Sequence, residues 1–181
     1  MTGTRESART QPGSSALDEL LDKQAIYEVV MRYCRGIDRL DLDLVRGAYH
    51  PDGIDHHTGF DGTVDEFIAW VRPKLESLSG TMHHIGNHLV ELYGDVAISE
   101  SYSTATHWGG GDGAADFTSG ARYIDLMERR DGRWAIAERW AVREWTRSDA
   151  GRMIPPEGAG PRGRRDGTDP LVELRSRLAA R

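Results

Sequence analysis

The feature that most constrains the fold of this chain is a change of hydrophobic period part-way along it. Apolar residues recur at helical spacing up to about Leu78, then alternate with a period near two from Met82 onward. In a first helix, predicted over Leu17 to Leu40, Ile26, Val30, Tyr33, Ile37 and Leu40 form one face while Glu28, Arg32, Arg35 and Arg39 fall opposite. A second, shorter helix covers DLDLVRGAY and stops before Pro51, because a residue preceding proline is pushed out of the helical region. Asp52-Gly53 turns the chain into a brief strand, GIDHH. Thr63 with Glu66 three residues on then forms a capping box for a third helix, TVDEFIAWVRPKLESL, which carries Phe67, Trp70 and Val71 on its apolar face and which Pro73 is expected to bend.

Turn signals at Gly94-Asp95, at Gly109 to Gly113 and at Asp131-Gly132 divide the remainder into four strands, MHHIGNHLVELY, VAISESYSTATHW, FTSGARYIDLMER and RWAIAERWAVREW. They read as an antiparallel meander. Strands this long must curl, and a curled sheet closed by helices on its concave face encloses a cavity. The expected fold is therefore α+β: a cone-shaped, curved antiparallel or mixed sheet with about three N-terminal helices around a pocket, occupying residues 16–148. Residues 1–15 are too polar to repay the entropy of ordering and read as a flexible leader. Residues 149–181 form a Pro/Gly/Arg-rich tail; MIPPEGAGPRGRRDGTDP reads as a linker, and LVELRSRLAAR beyond it has the composition of a short terminal helix.

Charge narrows the choice of partners. The net charge is −6, but Leu17 to Trp145 carries −10, against +1 for residues 1–16 and +3 for residues 146–181. A body this acidic repels phosphate backbones, which argues against nucleic acid. Cys34 is the single cysteine, so no internal disulfide exists. Neither a secretory signal nor a run of about 20 apolar residues occurs, and the expectation is a cytoplasmic protein without membrane partners.

Asp38 is the first candidate for chemistry. On a helical wheel it follows Tyr27, Met31 and Cys34 up an uncharged side, away from the charged residues of the same helix. A carboxylate there either caps the following turn, pairs with Arg35 or Arg39, or serves a pocket. In TMHHIGNHLVELYGD, strand alternation sets His83, Ile85, Asn87 and Leu89 on one face and His84, Gly86, His88 and Val90 on the other. A strand histidine is commonly a half-exposed residue without a role, and His107 beside Trp108 reads the same way. Tyr33, Tyr49, Trp70, Trp140 and Trp145 could wall an aromatic ligand site or form plain core. Asp55, His56, His57 and the pair His83/His84 invite a metal reading. Neighbouring strand histidines point to opposite faces, however, and no HExxH, CxxC or facial-triad spacing occurs, so no metal site is expected. No nucleotide-binding glycine motif and no GxSxG nucleophile string occurs either.

The order of signals RYCRGIDRLDLD, AYHPDG, TMHHIGN, GDVAISESY and GARYIDLMERRDGRWAIAERW resembles the nuclear-transport-factor-2-like superfamily. The likeness is to its SnoaL-like branch, which includes scytalone dehydratase, bile-acid 7α-dehydratase and lindane dehydrochlorinase, and it covers about Leu17 to Trp145. It implies a working dyad: family dehydratases and dehydrohalogenases use an Asp near the end of the first helix and a His opening the long strand, which fall here on Asp38 and His83. Tyr33, five positions before the Asp, matches the bile-acid enzyme, and His107 stands where scytalone dehydratase has a second His that handles the leaving group. A pocket asparagine of that enzyme is replaced by Tyr123.

What the resemblance implies is a cofactor-independent lyase, a dehydratase acting on a small hydrophobic, cyclic or polyketide-like hydroxy-carbonyl compound. Asp38, His83, Tyr33 and His107 would carry the chemistry, and Tyr49, Trp70, Asn87, Tyr123 and Trp140 would contact substrate. A polyketide cyclase or isomerase using the same dyad, and a non-catalytic small-molecule-binding module, are the alternatives. A homodimer or homotrimer is expected, because long strands expose a broad face. Met153, Ile154 and Leu171 are candidates for a lid over the pocket mouth.

Overall fold

The computed structural model describes residues 15–110, 116–148 and 164–168, together with residues 172 and 176. The leader, the lid candidates Met153, Ile154 and Leu171, and most of the tail lie outside the described residues. Three helices come first: α1 (Ala16–Arg39), α2 (Leu42–Ala48) and α3 (Val64–Glu76). Capping boxes open α1, at Ser15 with Asp18, and α3, at Thr63 with Glu66; in each the cap side chain and the third-residue carboxylate satisfy N–H groups the first turn leaves open. α1 ends at Leu40 in the left-handed region (φ 54°), which turns the chain sharply into α2. Gly36 makes this corner possible. A Cβ there would lie 2.9 Å from both the Asp41 carbonyl oxygen and the Val45 amide nitrogen.

Six strands follow or interleave: β1 (Tyr49–His57), β2 (Phe60–Thr63), β3 (Gly80–Tyr93), β4 (Val96–Trp108), β5 (Phe117–Arg130) and β6 (Arg133–Ser148). They form one mixed, curved and unclosed sheet in the order β2-β1-β6-β5-β4-β3. The expected meander is β3 to β6, all antiparallel. Two features go beyond the sequence reading. The chain reverses at Thr58 and Gly59 (φ 84°) to form β2, and β1 docks parallel on β6. Four-residue β2 is too short to leave a readable period.

The strands are not in simple alternation, because they carry bulges. Ile85 pairs with Ser103 and His88 with Ser101, so Gly86 and Asn87 together face Tyr102 alone. The inward set accordingly passes from Thr81, His83 and Ile85 to His88, Val90 and Leu92. β6 has extra residues at Ala137 and Glu144, each advancing its phase in the same way. The core fills the concavity: Ile26, Val30 and Ile37 of α1, Val45 of α2 and Phe67 and Leu75 of α3 pack with Met127 and Ile136 of the sheet.

At its centre sits an ion pair that the sequence reading missed. Arg139 and Asp125 are fully buried and joined by two 2.7 Å hydrogen bonds. The guanidinium carbon lies 4.1 Å from the Tyr33 ring centroid and 4.5 Å from that of Tyr123. Burial works to lower the Arg139 pKa, but the Asp125 carboxylate more than offsets it and the net direction is upward. This Arg stays charged.

Candidate active site

Between the open side of the sheet and the helices α1 and α3 lies a cavity of about 340 Å³. Its apolar walls are Ile37, Phe67, Val71, Leu75 and Phe117, and its polar groups include three histidines, His57, His83 and His107, with Tyr33 and Tyr123. Lys74 and Arg143 stand among the lining residues; Asp and Glu do not. Lys74 lies over the Trp70 ring, 4.1 Å from its centroid.

Asp38 is held on the last turn of α1 directly behind the opening residues of β3. Its Oδ1 is 2.6 Å from His83 Nδ1 and accepts from the Thr81 hydroxyl at 3.0 Å, while Oδ2 accepts from the His83 backbone N–H at 2.9 Å. Only 8% of Asp38 is exposed. Burial pushes its carboxyl up, but the hydrogen bonds and charge of His83, with the hydrogen bond from Thr81, turn the net direction below the usual carboxylate range. An ionised carboxylate only accepts, so Nδ1 of His83 carries a proton, and in the neutral form of this ring the lone pair falls on Nε2.

His107 lies across from His83, ring centroids 6.1 Å apart, and stacks on Phe117 at 4.3 Å. Burial, followed by electrostatic repulsion from the neighbouring His83 and Arg143 side chains were His107 to take a charge, pushes it down to about 4. It is a neutral imidazole at pH 7. Burial raises the Tyr33 phenol well above its ordinary value and the Cys34 thiol to about 12, so both remain protonated. Cys34 is no thiolate nucleophile.

Of the substrate-contact candidates, Trp70 and Tyr123 line the cavity with Tyr33, His83 and His107, whereas Tyr49, Asn87 and Trp140 do not. The bulge at Gly86 and Asn87 turns Asn87 to the exposed outer face. The extra residue Ala137 puts Arg139 inward and Trp140 outward, where it is 41% exposed and stacks on His56. Tyr49 is buried in the core and donates to Asp55 Oδ2 at 2.5 Å. Trp145 is also on the outside, 48% exposed.

Sequence alone did not point to Thr81, Phe117 or Arg143, and it raised His57 only as a metal ligand; in the structure His57 lines the cavity with its Nδ1 hydrogen-bonded to Asp55 Oδ1. Period-two spacing in GIDHH does set Asp55 and His57 on one face, so that signal was present. Among the described residues no three His, Cys, Asp or Glu side chains converge to hold a metal ion. No helix among them is long and apolar enough to cross a membrane.

Residues 18–140 match the model of the SnoaL-like domain. The chain belongs to the SnoaL-like family. Solved structures agree at the level of the fold. A hexachlorocyclohexane dehydrochlorinase, LinA type 3 from Novosphingobium barchaimii, superposes with a TM-score of 0.71 at 19% identity, over 78% of this chain and 100% of that one. A scytalone-dehydratase-like protein from Novosphingobium aromaticivorans gives 0.66 at 19% identity, over 78% and 97%. The Kfla4162 protein of Kribbella flavida gives 0.66 at 22% identity, over 72% and 95%. A comparison with curated proteins finds no match. This SnoaL-like protein thus shares its architecture with a dehydrochlorinase and a dehydratase-like protein.

Proposed function

We propose that this SnoaL-like protein is a lyase that removes water from a small hydrophobic, cyclic or polyketide-like hydroxy-carbonyl compound. The observation that carries the reading is the 2.6 Å contact between Asp38 and His83, the latter lining a largely apolar cavity. Asp38 acts as a positioning residue: it fixes the tautomer of His83 and stabilises the imidazolium that forms. His83 Nε2 takes a proton from the carbon next to the carbonyl. Negative charge then develops on the carbonyl oxygen, and a lining with Lys74, Arg143 and the protonated Tyr33 phenol, free of carboxylates, favours it. The β C–O bond breaks as the C=C forms, the departing hydroxyl takes up a proton and leaves as water, and His83 returns the proton it took to solvent. His107, being neutral, is a hydrogen-bond partner for the substrate in this scheme instead of the proton donor the resemblance implies. A cytoplasmic location belongs to the proposal. So does a dimer or trimer formed through the outer sheet face, where Met82, Leu89 and Tyr102 are exposed.

The test is a panel of cyclic β-hydroxyketones, led by 3-hydroxy-1-indanone, followed by the absorbance of the enone product. Turnover by the wild-type protein and its loss in His83→Asn is the expected result. Ring closure or double-bond migration without water loss would move the reading to a cyclase or isomerase. Tight binding with no turnover by any path would leave a binding module.

A further inference from the structure

The cavity holds a second imidazole backed by a carboxylate, and the scheme above leaves it without a task. His57 lines the cavity from β1, with its ring stacked on Phe67 at 4.8 Å. Its Nδ1 is hydrogen-bonded to Asp55, whose carboxylate is fully buried. The other Asp55 oxygen accepts the Tyr49 hydroxyl at 2.5 Å, and Tyr49 is itself buried. The three groups form a chain running from the core to the cavity wall. A buried carboxylate is costly unless its hydrogen bonds are filled. Here the nearby buried guanidinium of Arg139 is committed to Asp125, and Asp55 spends its oxygens on a phenol and on an imidazole that reaches the cavity.

The placement is as informative as the bonding. In the sheet order β2-β1-β6-β5-β4-β3, the strand that carries His57 and the strand that carries His83 stand toward opposite ends. Curling brings them to one cavity from its two sides, each with Nδ1 tied back to an aspartate and Nε2 left for the ligand. Such an arrangement suits elimination, in which one group can take a proton from carbon while another gives a proton to the departing oxygen.

We infer that His57, positioned by Asp55 and Tyr49, is the acid of this site and donates the proton with which the substrate hydroxyl leaves as water. This rests on the lyase reading of the same cavity. In the step, the C–H electron pair becomes the C=C bond as His83 accepts the proton. The C–O bond breaks toward oxygen, and the Nε2 proton of the His57 imidazolium completes the water molecule. His83 ends protonated and His57 neutral, and exchange with solvent restores both; nothing is oxidised or reduced.

The experiment separates the two half-steps. Deuterium uptake at C2 of 1-indanone, which has no hydroxyl to lose, reports proton removal alone. Enone formation from 3-hydroxy-1-indanone reports the whole elimination, and 3-acetoxy-1-indanone supplies a leaving group that needs no proton. His57→Asn is expected to keep wild-type deuterium uptake, to lose about 100-fold or more in water elimination, and to recover on the acetoxy compound; the recovery also shows that the variant is folded. Tyr49→Phe, which leaves Asp55 and His57 in place, is expected to lose water elimination to a smaller extent with the same recovery. Water elimination by His57→Asn at the wild-type rate overturns the inference and leaves the lyase reading standing. Equal loss of exchange and elimination, without recovery on acetate, overturns it as well, since His57 would then serve structure or proton removal. A wild-type protein that neither exchanges nor eliminates on any probe overturns the lyase reading, and the inference with it.

Discussion

Asp38 and His83 are 45 residues apart in sequence, yet the carboxylate oxygen and the imidazole Nδ1 are 2.6 Å apart. Two separate hydrogen bonds lock the carboxylate besides, from Thr81 and from the His83 backbone. The backbone bond ties the end of α1 to the start of β3, so the dyad is also a joint of the fold.

Because the two side chains act as one unit, their removal is expected to be non-additive. On a turned-over β-hydroxyketone, Asp38→Asn and His83→Asn each reduce kcat/KM by about 10²- to 10⁴-fold, and the double variant loses little more than the worse single one. Steady-state kinetics on all three variants checks this. Multiplying losses would mean that the residues act independently.

The Arg139–Asp125 pair predicts an asymmetry in stability. Arg139→Met alone strands a fully buried carboxylate and is expected to cost about 3–5 kcal/mol. Arg139→Met with Asp125→Leu removes both charges and recovers most of that loss. Urea unfolding of the two variants against wild type is the measurement, and equal losses would count against the account.

His56 supplies a pH-dependent contribution. Its ring nitrogens lie 2.8 Å from Asp61 and 2.9 Å from Glu138. Burial lowers its pKa, but the two carboxylates outweigh this and the net direction is above the ordinary 6.5. A raised folded-state value means that the stabilisation is fully present below the unfolded pKa and is lost as pH rises through the folded one. The stability gap between wild type and His56→Gln is therefore expected to be larger at pH 5.5 than at pH 8.5. Thermal melts at the two pH values decide it; a gap that widens with pH would reverse the assignment.

The α1–α2 corner leaves no room for a side chain at position 36. Gly36→Ala would bring a methyl group to 2.9 Å from backbone atoms and 2.6 Å from the Val45 side chain. It is expected to destabilise by about 1–3 kcal/mol, despite the better helix propensity of alanine. Denaturant midpoints test this, and an unchanged or raised midpoint would show that the corner yields.

Several elements were legible because their signals are local. The Thr63–Glu66 capping box, the turns at Gly94-Asp95 and Asp131-Gly132, and the limits of β4 depend on neighbours in sequence. The faces of β3 and β6 were not. One extra residue in a strand reverses every side chain beyond it, so Asn87 and Trp140, inward by simple alternation, lie outside once the bulges are counted. Asp38 could be singled out from its position on a helical wheel, whereas its pairing with His83 came from family resemblance.

The sequence by itself determined the order of helices and strands, the caps and turns that bound them, and the presence of carboxylate, phenol and imidazole groups suited to proton transfer. Those follow from periodicity and from hydrogen bonds spanning three or four residues. Only the tertiary structure decided which histidines share the cavity, that Asp55 backs His57, that Asp125 neutralises Arg139, and that β1 docks parallel on β6. These depend on bulge positions and on the curl of the sheet, which bring β1 and β3 to one site from opposite ends of the strand order. No spacing along the chain encodes such a distance, because it is set by the packing of the whole sheet around α1 and α3.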